Sequence, residues 1–122
     1  MKLFPLVSVI IPCYKEGDLL LEAVKSVEQQ TYENIEIVIG NDCSPDKRTN
    51  KICEQLSIDD RAKVIFLDSH KWTAGARNTA IHNSNGEIIF ALDGDDKIAP
   101  DFLQKTVPVL LSDNNIGFVY TD

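Results

Sequence analysis

Residues 6–11 read LVSVII, a run of apolar and largely β-branched side chains that ends at Pro12. A short apolar run bounded by a proline is typical of a strand that is buried on both faces, as in a parallel sheet. After it, apolar side chains recur at three- and four-residue spacing over Asp18–Gln30. This spacing predicts an amphipathic helix with Asp18 as its N-cap, so the chain reads here as a strand followed by a helix.

The alternation of strand and helix patterns continues along the chain. Further strands are predicted at Ile35–Ile39, Val64–Leu67, Ile88–Leu92 and Ile116–Tyr120. Three further helices are predicted. The first has Ser44 as its N-cap and Pro45 as its first residue, and the second spans Thr73–His82. The third begins at Pro100 and should be kinked or shortened by Pro108. Repeated strand–helix units favour an α/β fold with a mostly parallel sheet and helices on both faces.

Length and charge exclude several classes of protein. The chain has 122 residues, which suits one domain, and its 12 basic and 19 acidic residues give a net charge of −7. This balance argues against nucleic-acid binding and against a polybasic membrane binder, because both need clustered Lys and Arg. We expect no signal peptide, because the opening residues MKLFPL are too short and too interrupted for one, and no apolar run is long enough to span a membrane.

The cysteines indicate a compartment. Cys13, Cys43 and Cys53 are odd in number and form no Cys-x-x-Cys pair. They are typical of reduced thiols, and they argue against a disulfide framework or a zinc site. We therefore expect a cytoplasmic protein.

The predicted topology indicates where a ligand would bind. Ligands of parallel α/β sheets bind outside the carboxyl ends of the strands, where neighbouring crossovers diverge. The loops that follow the predicted strands are Pro12–Gly17, Gly40–Asp46, Ser69–Arg77 and Asp93–Ala99.

The last of these loops is strongly acidic. It begins with Asp93, Gly94, Asp95 and Asp96, directly after an apolar strand. A hard divalent cation such as Mg²⁺ or Mn²⁺ would relieve the repulsion between the carboxylates and could neutralise charge on a leaving phosphate. The alternative is a solvated acidic turn.

Side chains in the other loops could contact a polar ligand. Tyr14 could stack on a planar base and Glu16 could bond a ligand edge, or they could be a loop anchor and a first-turn carboxylate. Asp42 could accept ring N–H or ribose hydroxyl bonds, or it could form an Asx-turn or helix cap. Arg77 could reach a bound nucleotide or form an ion pair with Asp42 or Asp93.

Three aromatic or imidazole side chains and one carboxylate carry weaker signals. We expect His70 and His82 to be surface or loop residues, since their spacing does not suit a metal site. Trp72 could pack over the rim of the site, although core packing is the safer expectation, and Asp46 is expected to be a first-turn charge of a helix. The chain contains no Gly-x-Gly-x-x-Gly motif after its first strand, no P-loop and no Gly-x-Ser-x-Gly elbow.

Four short motifs occur in order at the ends of successive predicted strands. They are VSVIIPCY at 7–14, GND at 40–42, GARN at 75–78 and DGDD at 93–96. Together they resemble the start of a family 2 glycosyltransferase with the Rossmann-like GT-A fold. The resemblance covers nearly the whole chain and departs at Lys15, where asparagine is frequent, and at residues 41–43, where Asp-Asp-Gly is commoner.

The resemblance implies a nucleotide-diphosphate-sugar donor, most often a UDP-sugar, and transfer of its sugar with inversion to a saccharide or lipid-linked saccharide. It implies that Pro12, Tyr14 and Asp42 hold the base. It also implies that Glu16 closes the first segment and that Arg77 lines the nucleotide pocket. Asp93 would face the ribose, and Asp95 would bind Mn²⁺ or Mg²⁺ directly.

The resemblance also implies a division of labour within a longer domain. Residues 1–122 would be the donor-binding part of one GT-A domain, while the acceptor-binding part and the catalytic base would lie beyond Asp122. A bare sheet edge would then favour association of the chain. A lipid-linked acceptor would place the full-length protein at the inner membrane face.

Two alternatives stay open. The chain could be a non-catalytic nucleotide-binding module. It could also be a nucleotidyltransferase, although residues 15–17, Lys-Glu-Gly, are a meagre phosphate loop for that class.

Overall fold

The computed structural model describes residues 4–120 and shows four strands that alternate with four helices. The strands are β1 (Val7–Cys13), β2 (Ile35–Asn41), β3 (Lys63–Phe66) and β4 (Ile88–Ala91). The helices are α1 (Asp18–Glu28), α2 (Lys47–Ile58), α3 (Trp72–His82) and α4 (Phe102–Leu111). The four strands pair in parallel in the order β3-β2-β1-β4, which confirms the predicted α/β class.

The first strand is the centre of the sheet. Val7 of β1 lies opposite both Ile35 of β2 and Ile88 of β4, and every residue of β1 is buried. This arrangement explains why residues 7–11 are almost continuously apolar, since a strand covered on both faces has no side that needs polar residues.

Helices cover both faces of the sheet, as predicted. Val7, Val9 and Ile11 point to the face covered by α1, α2 and α4, where they form one large cluster of buried side chains. Ile10 points to the opposite face and packs with Val38 and with Ala80 of α3. Burial of each of these valine and isoleucine side chains stabilises the fold by about 1.5–3 kcal/mol.

The predicted end of the first strand at Pro12 was wrong, because β1 continues to Cys13. The Ile10 carbonyl accepts from Leu92 on the β4 side, and the Cys13 carbonyl accepts from Asp42 on the β2 side. Alternate residues of a parallel strand bond to opposite neighbours. Pro12 therefore faces the β4 side, beyond the last paired residue of β4, where its missing N–H costs no ladder bond.

All four predicted helix starts differ from the structure, since α3 begins at Trp72 and not Thr73, α4 begins at Phe102 and not Pro100, and the first two helices have other N-caps. Gly17, with φ 59°, is the N-cap of α1, and Asp18 is its first residue. The N-cap of α2 is Asp46, because its carboxylate accepts from the Thr49 amide at 3.0 Å, while the Ser44 hydroxyl donates to the Tyr14 carbonyl. The hydroxyl and amide of Thr49 hold the pKa of Asp46 below its usual value.

The predicted fifth strand is absent from the described part of the chain. Residues 116–120 form no strand, and Phe118 and Tyr120 are 77% and 80% exposed. This segment borders a cavity with β4 and α4, but it makes no ladder with β4.

At the predicted kink site, α4 continues three residues past Pro108 to Leu111, so the proline does not end the helix.

Close contact between a glycine and a helix backbone places α3 on the sheet. A Cβ atom at Gly40 would lie 2.4 Å from the Ala76 carbonyl oxygen. Only glycine lets β2 and α3 approach this closely. The contact brings the first turn of α3, and Arg77 with it, to the carboxyl ends of the strands.

Substitution of Gly40 by Ala should therefore destabilise the fold. We expect a loss of about 1–3 kcal/mol of unfolding free energy, as for overpacking at a site whose neighbour is backbone and cannot rotate away. Gly117→Ala is the matched control, since its Cβ would meet nothing within 4 Å, and it should be neutral or slightly stabilising. Urea unfolding followed by circular dichroism measures both. Equal stability of the two variants would contradict this account of α3 placement.

Candidate functional site

A cavity of about 300 Å³ opens at the carboxyl ends of β1, β2 and β4. All seven site residues predicted from the sequence line it, namely Pro12, Tyr14, Glu16, Asp42, Arg77, Asp93 and Asp95. Four further residues that the sequence did not single out as contacts complete the lining: Cys13, Thr73, Ala76 and Gly94. Of these, only Thr73 lies outside the motifs on which the resemblance rests.

Asp42 is a buried carboxylate held from the next loop. It is 3% exposed, and its Oδ1 accepts from the Lys71 amide at 2.6 Å. Its Oδ2 lies 2.6 Å from Nδ1 of His70. Since these contacts lie outside α2, the carboxylate does not cap that helix. Each oxygen keeps lone-pair capacity for a further donor, because an ionised carboxylate has about four acceptor positions.

Three rings stand in a row at the edge of the cavity. Tyr14 and His70 have centroids 4.5 Å apart, and His70 and Trp72 have centroids 4.3 Å apart. The ammonium group of Lys15 lies 5.4 Å from the Tyr14 centroid. The expectation that Trp72 packs in the core was wrong, since this residue is 69% exposed. His70 is a loop residue, as predicted, but it is tied to the site through Asp42.

Arg77 reaches across the cavity to the acidic turn. Its Nη2 lies 3.3 Å from Oδ1 of Asp93, so of the two partners considered it pairs with Asp93. Its Nε is buried and has no hydrogen-bond partner in the described part of the chain. A buried donor without a partner is rare and costly, which makes this atom a candidate contact for an anionic ligand group.

The acidic turn packs against the loop after β1. The Asp96 amide donates to the Asp93 carbonyl at 3.0 Å, and a Cβ at Gly94 would lie 3.0 Å from the Pro12 carbonyl. Glu16 lies beside Gly94 and accepts from the Tyr14 amide. Glu16 precedes the N-cap of α1, so it belongs to the loop and not to the first turn.

Asp95 suits a cation that arrives with its ligand. Its carboxylate is exposed, and no hydrogen bond or ion pair engages it within residues 4–120. In this same range no three His, Cys, Asp or Glu side chains converge as a ready-made metal site. Mg²⁺ and similar ions commonly take one or two carboxylates and complete their shell with water and phosphate oxygens. The donor set therefore fits such an ion.

A buried amide holds the segment that follows the acidic turn. The Gln30 side chain, 8% exposed, donates to the Ala99 carbonyl at 2.7 Å and accepts from the Leu103 amide at 3.1 Å. The Ser26 hydroxyl accepts from Ile98 at 3.3 Å. The end of α1 thus fixes the path of residues 98–103. Sequence patterns gave no sign of this support, because its partners lie about 70 residues apart.

Two thiols meet beside the cavity. Sγ of Cys13 lies 3.7 Å from Sγ of Cys53, and Asn41 donates to the Cys53 sulfur at 3.5 Å. The hydrogen bond to Cys53 and burial raise the pKa of Cys13, while the bond from Cys13 lowers the pKa of Cys53. All three cysteines are free thiols.

None of the described helices is long and apolar enough to cross a membrane.

Comparison with known proteins identifies the family. Residues 8–121 match the family model described as Glycosyl transferase family 2. The chain belongs to this family. The resemblance carried by the four strand-end motifs is thereby confirmed.

One curated relative in the family illustrates the match. The chain is 36% identical over 115 residues to the Escherichia coli UDP-Glc:alpha-D-GlcNAc-diphosphoundecaprenol beta-1,3-glucosyltransferase WfgD. The match covers 94% of this chain and 44% of the relative. This chain spans less than half the length of the curated relatives that it matches.

Solved glycosyltransferase structures share the fold. S. aureus TarS 1–349 in complex with UDP superposes with a TM-score of 0.77 at 25% identity, over 94% of this chain and 38% of that one. The mannosyltransferase PcManGT from Pyrobaculum calidifontis, in complex with GDP-Man and Mn²⁺, superposes with a TM-score of 0.76 at 27% identity, over 90% and 33%. The predicted GT-A fold is therefore confirmed.

Proposed function

We propose that this chain carries the donor and metal site of a family 2 glycosyltransferase. The protein would move a sugar from a nucleotide-diphosphate-sugar to an acceptor hydroxyl with inversion. Residues 1–122 form the nucleotide-sugar-binding part of its GT-A domain in this proposal. The observation that carries it is the convergence of all seven predicted residues on one cavity at the carboxyl ends of the strands.

Asp42 and Tyr14 are proposed to recognise the base of the nucleotide. The buried carboxylate offers acceptor capacity toward ring N–H groups, and the phenol ring offers a flat apolar surface. Pro12, which also lines the cavity, is proposed to contact the base with them. A UDP-sugar is the favoured donor, since TarS binds UDP and UDP-GlcNAc and the name of WfgD specifies UDP-Glc.

The other end of the cavity is proposed to hold the diphosphate. Asp95 would hold Mn²⁺ or Mg²⁺, and the ion would supply positive charge against the two phosphates. Arg77 adds a permanent positive charge there, and its unpartnered Nε can donate to an anionic oxygen. Asp93, oriented by Arg77, would accept from the ribose, while Glu16 closes this segment of the cavity.

The proposed reaction is an in-line displacement. The acceptor oxygen forms a bond to the anomeric carbon as the bond from that carbon to the diphosphate breaks, and the bonding electrons leave with the nucleoside diphosphate. A general base takes the acceptor proton. We assign this base to the acceptor-binding part of the longer protein, because none of the cavity residues is placed for that role in our assignment.

The acceptor is proposed to be a saccharide, in particular a lipid-linked one. WfgD is named for transfer to GlcNAc-diphosphoundecaprenol, and it shares 36% identity with this chain. Such an acceptor would place the whole protein on the cytoplasmic side of a membrane, in the synthesis of cell-surface polysaccharide or glycolipid.

Neutralising Asp42 tests base recognition. We expect Asp42→Asn to weaken UDP binding without metal by about tenfold or more, because a hydrogen bond to a charged group is worth about 1.5–3 kcal/mol. The variant can still accept from Lys71, so folding should be preserved. Asp68→Asn, an exposed carboxylate on the next loop, is the control for net charge. Isothermal titration calorimetry without metal measures the UDP affinity of both variants. Equal affinities would show that Asp42 does not recognise the base.

Neutralising Asp95 tests the metal site. Asp95→Asn keeps the size of the side chain but removes its anionic oxygen, so UDP binding should lose its dependence on Mn²⁺ while the fold remains stable. Asp101→Asn, paired with Lys105 outside the cavity, should leave the dependence intact. Calorimetry with and without Mn²⁺ measures the effect. If UDP binding keeps its full Mn²⁺ dependence in Asp95→Asn but loses it in Asp93→Asn, then Asp93 and not Asp95 is the metal ligand. If neither substitution changes the Mn²⁺ dependence, residues 93–96 are only a solvated acidic turn.

A further inference from the structure

Trp72 is held in a backbone conformation that tryptophan rarely adopts. Its φ is 60°, in the left-handed region where a Cβ meets the neighbouring carbonyl and where glycine fits without strain. It is also the first residue of α3, which has no side-chain cap. A bulky residue here adds strain that glycine would avoid.

The fold does not compensate for this strain by burying the indole. Trp72 is 69% exposed, and its one ring contact in the described part of the chain is with His70. Residues held in sparsely populated backbone conformations cluster at active sites and ligand-binding segments. The indole is thus available to a binding partner.

The position of Trp72 indicates which part of a ligand it would meet. Thr73, the next residue, lines the cavity, and His70 joins the indole to Tyr14 and to the Asp42 carboxylate. Tyr14 and Asp42 are the residues proposed above to recognise the base of the nucleotide. The acidic turn, which is assigned to the diphosphate, packs at Gly94 against Pro12 and Glu16.

The charges of the cavity favour binding through a neutral ring. Four carboxylates line it, from Glu16, Asp42, Asp93 and Asp95, against one cation, Arg77. Without a metal ion this charge balance opposes a diphosphate. The uncharged base is the part of a nucleotide that such a cavity can bind by stacking, and aromatic side chains stack on any base.

We propose that Trp72 is a base-contacting residue that extends the Tyr14–His70 row over the nucleobase at the mouth of the cavity. This inference rests on the proposed function, because it assumes a nucleotide in the cavity. It assigns part of the nucleotide affinity to a side chain outside the four motifs of the resemblance.

Trp72 is the chain's only tryptophan, so its fluorescence reports directly on the contact. Titration of the chain with UDP or GDP in the presence of Mg²⁺ should change the intensity of Trp72 emission. Inorganic pyrophosphate with Mg²⁺ has no base and should leave the emission unchanged. Calorimetry on the same samples shows whether each compound is bound.

Substitution separates a binding role from a structural one. Trp72→Gly relieves the strained φ, so its melting temperature should be unchanged or higher, while its affinity for UDP should fall on the order of tenfold through the lost stacking. Trp72→Phe keeps an aromatic face and should retain most of the affinity. Phe118→Ala removes an equally exposed aromatic side chain remote from the cavity and should bind as the parent chain does.

The outcomes distinguish the inference from the proposed function. If UDP binds by calorimetry but Trp72 emission does not change, and Trp72→Gly binds normally, the inference is wrong and the proposed function stands. If neither UDP nor GDP binds the parent chain, the proposed function fails and the inference with it. A Trp72→Gly variant that loses stability but keeps its affinity would show a structural role only.

Discussion

Parallel pairing of β1 with β2 on one side and β4 on the other is the constraint on which the rest of the structure depends. Parallel strands end at the same edge of a sheet, so the loops after β1, β2 and β4 meet there. Helices on both faces shield β1 from solvent, so all seven of its residues are buried. The motif residues, up to 83 positions apart in the chain, thereby share one small cavity.

Polar contacts from a neighbouring loop hold the Asp42 carboxylate at the end of β2. Asp42 is buried without a Lys or Arg side chain as its partner among residues 4–120, and the Lys71 amide and His70 ring compensate for part of its desolvation. These contacts attach the loop after β3 to the end of β2. Asp95 differs in that its carboxylate is exposed and free to meet an ion. The cavity therefore combines a buried, hydrogen-bonded carboxylate with an exposed one.

Local patterns predicted the elements well and their ends less well. The apolar runs located all four strands, because burial on both faces leaves a clear signal in composition. The N-cap of α2 was misassigned because Ser44 and Asp46 are both good capping residues, and the choice depends on Tyr14, thirty residues away from Ser44. Residues 116–120 have a strand pattern, but a strand also needs a partner, which the pattern does not encode.

The site was predictable where it coincides with strand ends and unpredictable where it depends on tertiary contacts. Asp42, Arg77 and Asp93 follow from topology and motif order. The contact of His70 with Asp42 joins residues 28 positions apart, and nothing in their spacing announces it. For Trp72 the sequence left both the core and the rim of the site open and favoured the core, which the exposure of its side chain excludes.

The most direct test is a nuclear magnetic resonance titration of the isotopically labelled chain with UDP and Mg²⁺. The account predicts amide shift changes in residues 13–16, 42–44, 71–77 and 93–96, around the cavity at the carboxyl ends of the strands. A larger groove of about 640 Å³ lies at the opposite ends of β2 and β3, lined by Glu28, Glu33, Glu36, Arg61 and Lys63 among others. Shift changes confined to that groove, or none at all, would contradict the account.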